Sequence, residues 1–261
     1  MFVIANLPTT LREASGIALS NNSDLIWMIN DSGNAPVLYA VDLQGKIKKQ
    51  LKINAKNHDW EDLTTDNEGN IYIGDFGNNA NNRKHLSILK VSKDSIDVSG
   101  KIEIDRISFS YPEQHQFPPK KKQMHFDSES FLFYNDSLYL FTKSRYSKEY
   151  GKTNLYKIPA TPGKHEAAFI SSFNTCNDYG CWVTSADISA SKKQVVLLTE
   201  HSAFAFTDFK KDDFFSGKVN IYPFDHFSQK ESVCFKNDST LYISDERSSG
   251  RGGNLYEFKL N

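Results

Sequence analysis

Acidic residues recur along this chain at a spacing that would gather them into one site. Five times a strand-like run opens on an acid: Glu13 in EASGIAL, Glu61 in EDLTTD, Glu129 in ESFLFY, Asp187 in ADISAS and Glu231 in ESVCFK. About fourteen residues later the next run closes on a second polar residue: Asp31 in IWMIND, Asp75 in IYIGD, Lys143 in LYLFTK, Glu200 in VVLLTE and Asp245 in LYISD. Nine of these ten positions are carboxylates. Carboxylates packed together repel unless a cation or protons neutralise them. Hard oxygen donors suit calcium or magnesium better than zinc or copper. The expected metal set is Glu13, Asp31, Glu61, Asp75, Glu129, Asp187 and Glu231. Calcium is the expected ion, with another divalent cation as the alternative. The competing reading is that each acid caps a neighbouring backbone N–H at a strand end, as Asp and Asn do in turns.

Histidines accompany these acids. His58, His125 and His226 lie three to five residues before Glu61, Glu129 and Glu231, and His201 follows Glu200. An imidazole beside a carboxylate-bound metal can activate water against an ester, lactone or phosphoester. His58 and His125 are the candidate catalytic bases. Lys143, Arg145 and Arg247 are candidate seats for an anionic substrate group, with ion pairing to neighbouring acids as the alternative. Trp60, like Phe76 and Trp182, falls in the same loops and is expected to be exposed there and to stack on a flat ligand, unless it packs between structural units. No GxSxG elbow and no EF-hand loop is present.

The elements that must position these residues are strands. Polar turns NNSD (21–24), DNEGN (66–70), ND (135–136), SKK (191–193) and NDS (237–239) separate apolar runs, the pattern of hairpins. Third strands are expected at 37–42, 86–91, 154–158, 203–208 and 254–259, and fourth strands at 46–53, 105–111, 167–173 and 218–224. The last unit lacks a fourth strand, which FVIAN (2–6) can supply, leaving no exposed edge. Such an internal repeat predicts an all-β propeller of five four-stranded blades, residues 1–261 forming one domain. Six blades is the alternative, because the insertion at 92–122 has room for extra strands. In a ring of blades, openers and closers meet at one tunnel mouth.

The composition agrees. Nineteen Phe and twelve Tyr against three Met favour strands over helices. A net charge of −1 gives no reason to expect a nucleic-acid partner. No stretch is apolar and long enough to span a membrane, and no signal peptide is visible. Cys176 and Cys181 share one loop and are the disulfide candidate; Cys234 reads as a buried thiol. A periplasmic, extracellular or lipid-anchored location is expected for a monomer that meets a small-molecule ligand or another protein at the mouth.

The segments EASGIA…WMINDSGN, DWEDLT…IYIGDFGNN, ADIS and ESVCF…LYISDE resemble a group of largely uncharacterised bacterial secreted or lipid-anchored β-propeller proteins. More distantly they are similar to calcium-dependent propellers of the SMP-30/gluconolactonase and phytase-like esterase kinds. The resemblance covers nearly the whole chain. It implies a divalent ion at the tunnel mouth, held by acidic and Asn side chains, with Glu13, Glu61, Glu129, Asp187 and Glu231 at the matching positions. The expected function is a metal-dependent hydrolase of a small ester, lactone or phosphoester. The alternative is a non-catalytic ligand- or protein-binding propeller with a structural cation.

Overall fold

The structure is a computed structural model that describes residues 1–19, 24–98, 100–248 and 250–260. Of the NNSD turn at 21–24, only Asp24 lies within the described residues. No α-helix occurs among the described residues. The strands form five sheets, the five blades of a propeller.

Blade one contains Ala14–Leu19, Ile26–Asn30, Val37–Val41 and Ile47–Ile53. Blade two contains Trp60–Thr65, Ile71–Asp75, Leu86–Val91 and Asp105–Ser110. Blade three contains Asp127–Tyr134, Ser137–Lys143, Lys152–Pro159 and Ala168–Asn174. Blade four contains Ser185–Ile188, Gln194–Leu198, Ser202–Thr207 and Lys218–Pro223. Blade five contains Lys230–Asn237, Thr240–Asp245, Asn254–Lys259 and the N-terminal Phe2–Asn6, in which Phe2 pairs with Glu257 and Asn6 with Asn254.

The insertion at 92–122 builds no sixth blade. Its Lys101–Ile102 runs parallel to Ile47–Ile53 and widens blade one, and Gly163–Glu166 likewise widens blade two beside Asp105–Ser110. Each of these short strands comes from the following blade in the chain, so neighbouring blades are stitched at their outer rims.

Local chemistry sets the hairpins. Asn135 and Asp136 both have positive φ, 46° and 55°, which matches the right-handed twist of the flanking strands. Asp66 folds its own turn, accepting from the N–H groups of Glu68 and Asn70 at 3.0 and 2.9 Å. Second strands such as Ser137–Lys143 are buried along their whole length because both faces meet neighbouring blades. Outer strands such as Lys218–Pro223 carry mostly exposed side chains. The core is accordingly divided into five clusters, one in each interface between blades. Aromatics fill the broadest gaps: Phe76, Phe109, Tyr111, Phe126 and Phe131 between blades two and three, and Phe141, Phe204, Phe206 and Phe214 between blades three and four.

The five inner strands touch one another in a closed ring around the axis. Their tunnel-facing N–H groups have no ladder partner, so side chains of the preceding blade bond them. Thr64 Oγ1 accepts from Phe133 N–H at 3.3 Å, Asp187 Oδ2 from Phe235 N–H at 2.7 Å, and Ser185 Oγ from Val233 N–H at 3.1 Å. At the centre lies Asp62, fully buried. It accepts from Leu63 N–H at 2.9 Å, Ser185 Oγ at 3.1 Å and the N–H groups of Phe131 and Ala186 at 3.4 Å. With Ser130, Ser185 and Ser232 also buried, the tunnel is sealed at mid-depth.

Gly16 is the blade-one residue that lets Asp62 sit there. A Cβ on Gly16 would lie 2.8 Å from the Asp62 backbone. Gly16→Ala is expected to destabilise the protein by about 1–3 kcal/mol through overpacking. A urea unfolding midpoint unchanged from the wild type would contradict this contact.

Candidate metal centre at the tunnel mouth

Three of the five openers owe their position to β-bulges. The register slips between Ser128 and Ser130, between Lys230 and Ser232, and between Trp60 and Leu63. Glu129, Glu231 and Glu61 are the extra residues. A bulge turns its side chain out of the ladder, here toward the mouth above Asp62. In blade one the bulged residue is Ser15, whose hydroxyl donates to the Trp60 carbonyl at 2.9 Å. Blade four has no bulge.

The consequence is that the openers are not one ring. Glu13 precedes its strand, is half exposed, and bonds Asn34 Nδ2 at 2.6 Å and Arg12 at 3.2 Å. Asp187 stands two residues past Ser185 and belongs to the other end of the tunnel. There it lines a cavity of about 120 Å³ with Leu19, Thr65, Asp66 and Phe235. Its role in the structure is to bond the Phe235 N–H. Burial pushes its carboxyl up to about 7.

The compact acidic group is Asp31, Asp59 and Glu61. One carboxylate oxygen from each lies within 4.8 Å of the others. Asp31 follows the second strand of blade one, and Asp59 precedes the inner strand of blade two. Asn57 ties the two loops together, donating to the carbonyls of Asn30 and Asp31 at 3.0 and 2.8 Å and accepting from Trp60 N–H. Gly77 closes over the group, because a Cβ there would lie 2.0 Å from Glu61 Oε1 and 2.5 Å from Asp59. Among the described residues no hydrogen-bond donor or cation reaches the Glu61 carboxylate. Burial, and then the charges of Glu129, Asp31, Asp59 and Asp127, push its pKa well above the usual range. Burial also lifts Asp31, to about 6, and raises Asp59. Protons or a cation would relieve the same repulsion.

Next to this group the charges are balanced. Lys143 Nζ lies 3.1 Å from Glu129, and Arg145 bridges Asp127 and Glu129, reaching Glu129 at 2.7 Å. Burial would lift Glu129, but Lys143 and Arg145 outweigh it and hold the carboxyl below its usual value. Lys143 also lies 5.2 Å from the centre of the Trp182 ring. Both cations are thus spent on structure. Arg247 is engaged elsewhere, with its guanidinium on the Leu7 carbonyl at 2.7 Å. Beyond Lys143, burial raises Glu231 to about 8 and Glu246 to about 7.

The other named residues separate. Asp75 is fully buried and accepts from His58 at 2.9 Å, Arg83 at 3.0 Å and Asp59 N–H at 3.3 Å. Asp245 is an internal cap that bonds Asn254 and Tyr256. His58 is half exposed, with Nδ1 on Asp75 and the ring otherwise open. His125 is engaged outside the acidic group, with Glu149 3.5 Å from its Nε2. Its nitrogens meet Ser144 Oγ at 3.0 Å and the Lys122 carbonyl at 3.1 Å. Trp60 is fully buried between blades one and two, and Phe76 between blades two and three, so neither is an exposed stacking face. In a pleated strand the residue before an inward-facing Glu61 points into the blade interface. Cys176 and Cys181 are joined by a disulfide and Cys234 is a buried thiol. A disulfide is consistent with an oxidising compartment. No helix among the described residues is long and apolar enough to cross a membrane.

Asp59, Asp127, Arg83 and Glu246 were not singled out by spacing. Asp59 and Asp127 had a signal: each stands two residues before an opener, in HDWED and FDSES.

No family model matches the chain, and no curated protein matches its sequence. Solved structures do match in fold. The PQQ-bound aldose sugar dehydrogenase from Streptomyces coelicolor aligns over 98% of this chain and 96% of its own, at TM-score 0.57 and 8% identity. A putative gluconolactonase aligns over 96% and 75%, at TM-score 0.53 and 9% identity. A gluconolactonase from Xanthomonas campestris aligns over 100% and 88%, at TM-score 0.50 and 9% identity. Identities this low establish the propeller fold and nothing finer.

Two outcomes follow from the charge pattern. Arg145→Met strands the buried Asp127 and is expected to cost about 3–5 kcal/mol in chemical denaturation. Lys157→Met, which removes the more exposed partner of Asp212, should cost about 1 kcal/mol or less. Equal losses would show that the Arg145 bridge is not a buried one. Asp187 supplies the second test. Its folded pKa of about 7 exceeds the ordinary 3.8, so the folded chain holds an extra proton in that window and stability falls as pH rises through it. Asp187→Asn should therefore gain on the order of 1–3 kcal/mol over the wild type at about pH 8 relative to about pH 5. A difference independent of pH would contradict a buried carboxyl at this position.

Proposed function

We propose that the tunnel mouth holds a divalent cation, calcium, on Asp31, Asp59 and Glu61, and that the protein hydrolyses a small ester, lactone or phosphoester there. The observation that carries this reading is the approach of three carboxylate oxygens within 4.8 Å around a Glu61 side chain without a donor. Three oxygen donors plus water fit a hard cation, which would polarise the substrate carbonyl or phosphoryl oxygen when bound.

The chain supplies the rest. His58 Nδ1 donates to the buried Asp75, which fixes the tautomer and leaves Nε2 free to take a proton from water. Arg83 pins Asp75 from the other side, so the imidazole is held by a carboxylate that cannot swing. The seal at Asp62 makes the mouth a closed cup, and substrate enters and leaves from one face. The gluconolactonase and sugar dehydrogenase neighbours place small-molecule chemistry on this fold in other proteins.

A second reading is a ligand- or protein-binding mouth with a structural cation. It is favoured by one observation: Lys143 and Arg145 are consumed by ion pairs and His125 is bonded to Ser144 and the Lys122 carbonyl, which leaves His58 as the candidate base.

Chelator-stripped protein should gain thermal stability in millimolar calcium, by about 2.7 kcal/mol if the ion is at a hundred times its dissociation constant. Glu61→Gln should abolish the gain. Turnover across an ester, lactone and phosphoester panel should be lost in both Glu61→Gln and His58→Asn. A calcium-dependent shift without turnover establishes the second reading. No shift with any divalent ion overturns the metal centre.

A further inference from the structure

Behind His58 the structure holds a second site of opposite charge. A cavity of about 380 Å³ opens on the outer side of blade two, lined by His58, Arg83, Lys84, His85, Arg106 and Ser108, with Asp75 and Ser87 in its wall. Three of these side chains are permanent cations and two are imidazoles. Asp75 is the one acid among them, and it is buried with its oxygens already bonded to His58 and Arg83.

The remaining cations have no carboxylate partner. Arg106 makes one side-chain bond, to Ser87 Oγ at 2.7 Å, and no ion pair among the described residues. Lys84 rests 5.5 Å from the centre of the Phe117 ring. His85 has no hydrogen bond or ion pair with any described residue. In the mouth, by contrast, Arg145 is matched with two acids and Lys143 with Glu129. Unmatched cations sharing one concavity repel, just as the carboxylates of the mouth do, and an anion relieves that repulsion. Arginine presents a planar fork that suits phosphate oxygens, and lysine adds a point charge.

The chain also explains why these side chains meet. Arg106 and Ser108 alternate on one face of an outer strand, while Ser87 lies opposite Ser108 on the neighbouring strand. Arg83 is anchored on the Gly77 carbonyl at 2.6 Å, which turns the 78–85 loop over the cavity.

We infer that this cavity binds the phosphate group of a small phosphomonoester, with Arg106 as its principal ligand and Lys84, His85 and Arg83 around it. The inference rests on and deepens the reading of the mouth, since His58, the base proposed there, lines this cavity, and it names the anionic class of ligand that Lys143, Arg145 and Arg247 are not free to hold.

Isothermal titration of chelator-stripped protein tests it with inorganic phosphate and glycerol phosphate. One saturable site is expected. Arg106→Gln, a change at an exposed position, should weaken both ligands at least tenfold while the fold, judged by circular dichroism, stays intact. Glu61→Gln should leave phosphate binding unchanged, which separates this site from the metal centre: a wild-type protein with no calcium response but with phosphate binding retained would fail the mouth and spare the cavity. Absence of saturable binding, or equal affinity in Arg106→Gln, overturns the proposal. So does sedimentation with phosphatidic acid vesicles in the absence of any binding to the soluble phosphates.

Discussion

The buried carboxyl of Asp62 is the constraint around which the ring is organised. Five inner strands converge on an axis, and each presents N–H groups with no strand to pair with. Asp62 gathers donors from blades two, three and four, and Ser185 passes the link on to blade five. Burial pushes its carboxyl well above the ordinary range, against the pull of these donors. A smaller side chain would leave the N–H groups of Phe131 and Ala186 unsatisfied, and buried unsatisfied donors are costly. Gly16 gives way on the facing strand, so the plug fits.

The acids of the mouth sit above that plug. Because the tunnel is closed at Asp62, the acids of the mouth are held in a cup with low access to water. Two solutions to their repulsion coexist there. Asp127 and Glu129 are matched by Arg145 and Lys143, whereas among the described residues Asp31, Asp59 and Glu61 form no ion pair with Lys or Arg. The bulges of blades two, three and five aim the glutamates at the axis; the unbulged blade four contributes no acid to this group.

Much of the architecture was legible in the residues. Turn chemistry such as Asn135-Asp136 and runs such as LYLFTK located hairpins, and their repetition marked blades. The site was less legible, because a period of two names a face of a strand without naming its depth. Asp187 opens ADIS as Glu231 opens ESVCF, yet the ring register aligns Ser185, not Asp187, with the residue after the bulge. Asp187 therefore lands three residues deeper than the resemblance in letters suggests. Trp60 sits beside Glu61 in sequence and on the opposite side of the strand in space. His125 stands four residues before its opener, but its loop carries it toward Ser144. Arg83 and Arg106 are twenty-three residues apart, on a loop and an outer strand, and no spacing rule joins them.

The sequence by itself determined that this chain forms strands, where they turn, that a blade-like unit recurs, and that acids cluster at strand ends. Those features depend on neighbours within a few residues, through backbone preference and alternation. Only the tertiary structure decided which acids meet, which are neutralised by Lys143 and Arg145, which residue plugs the axis and where unmatched cations collect. Those outcomes depend on bulge position and on charges contributed by different blades, and electrostatic energy follows distance through space, not separation along the chain.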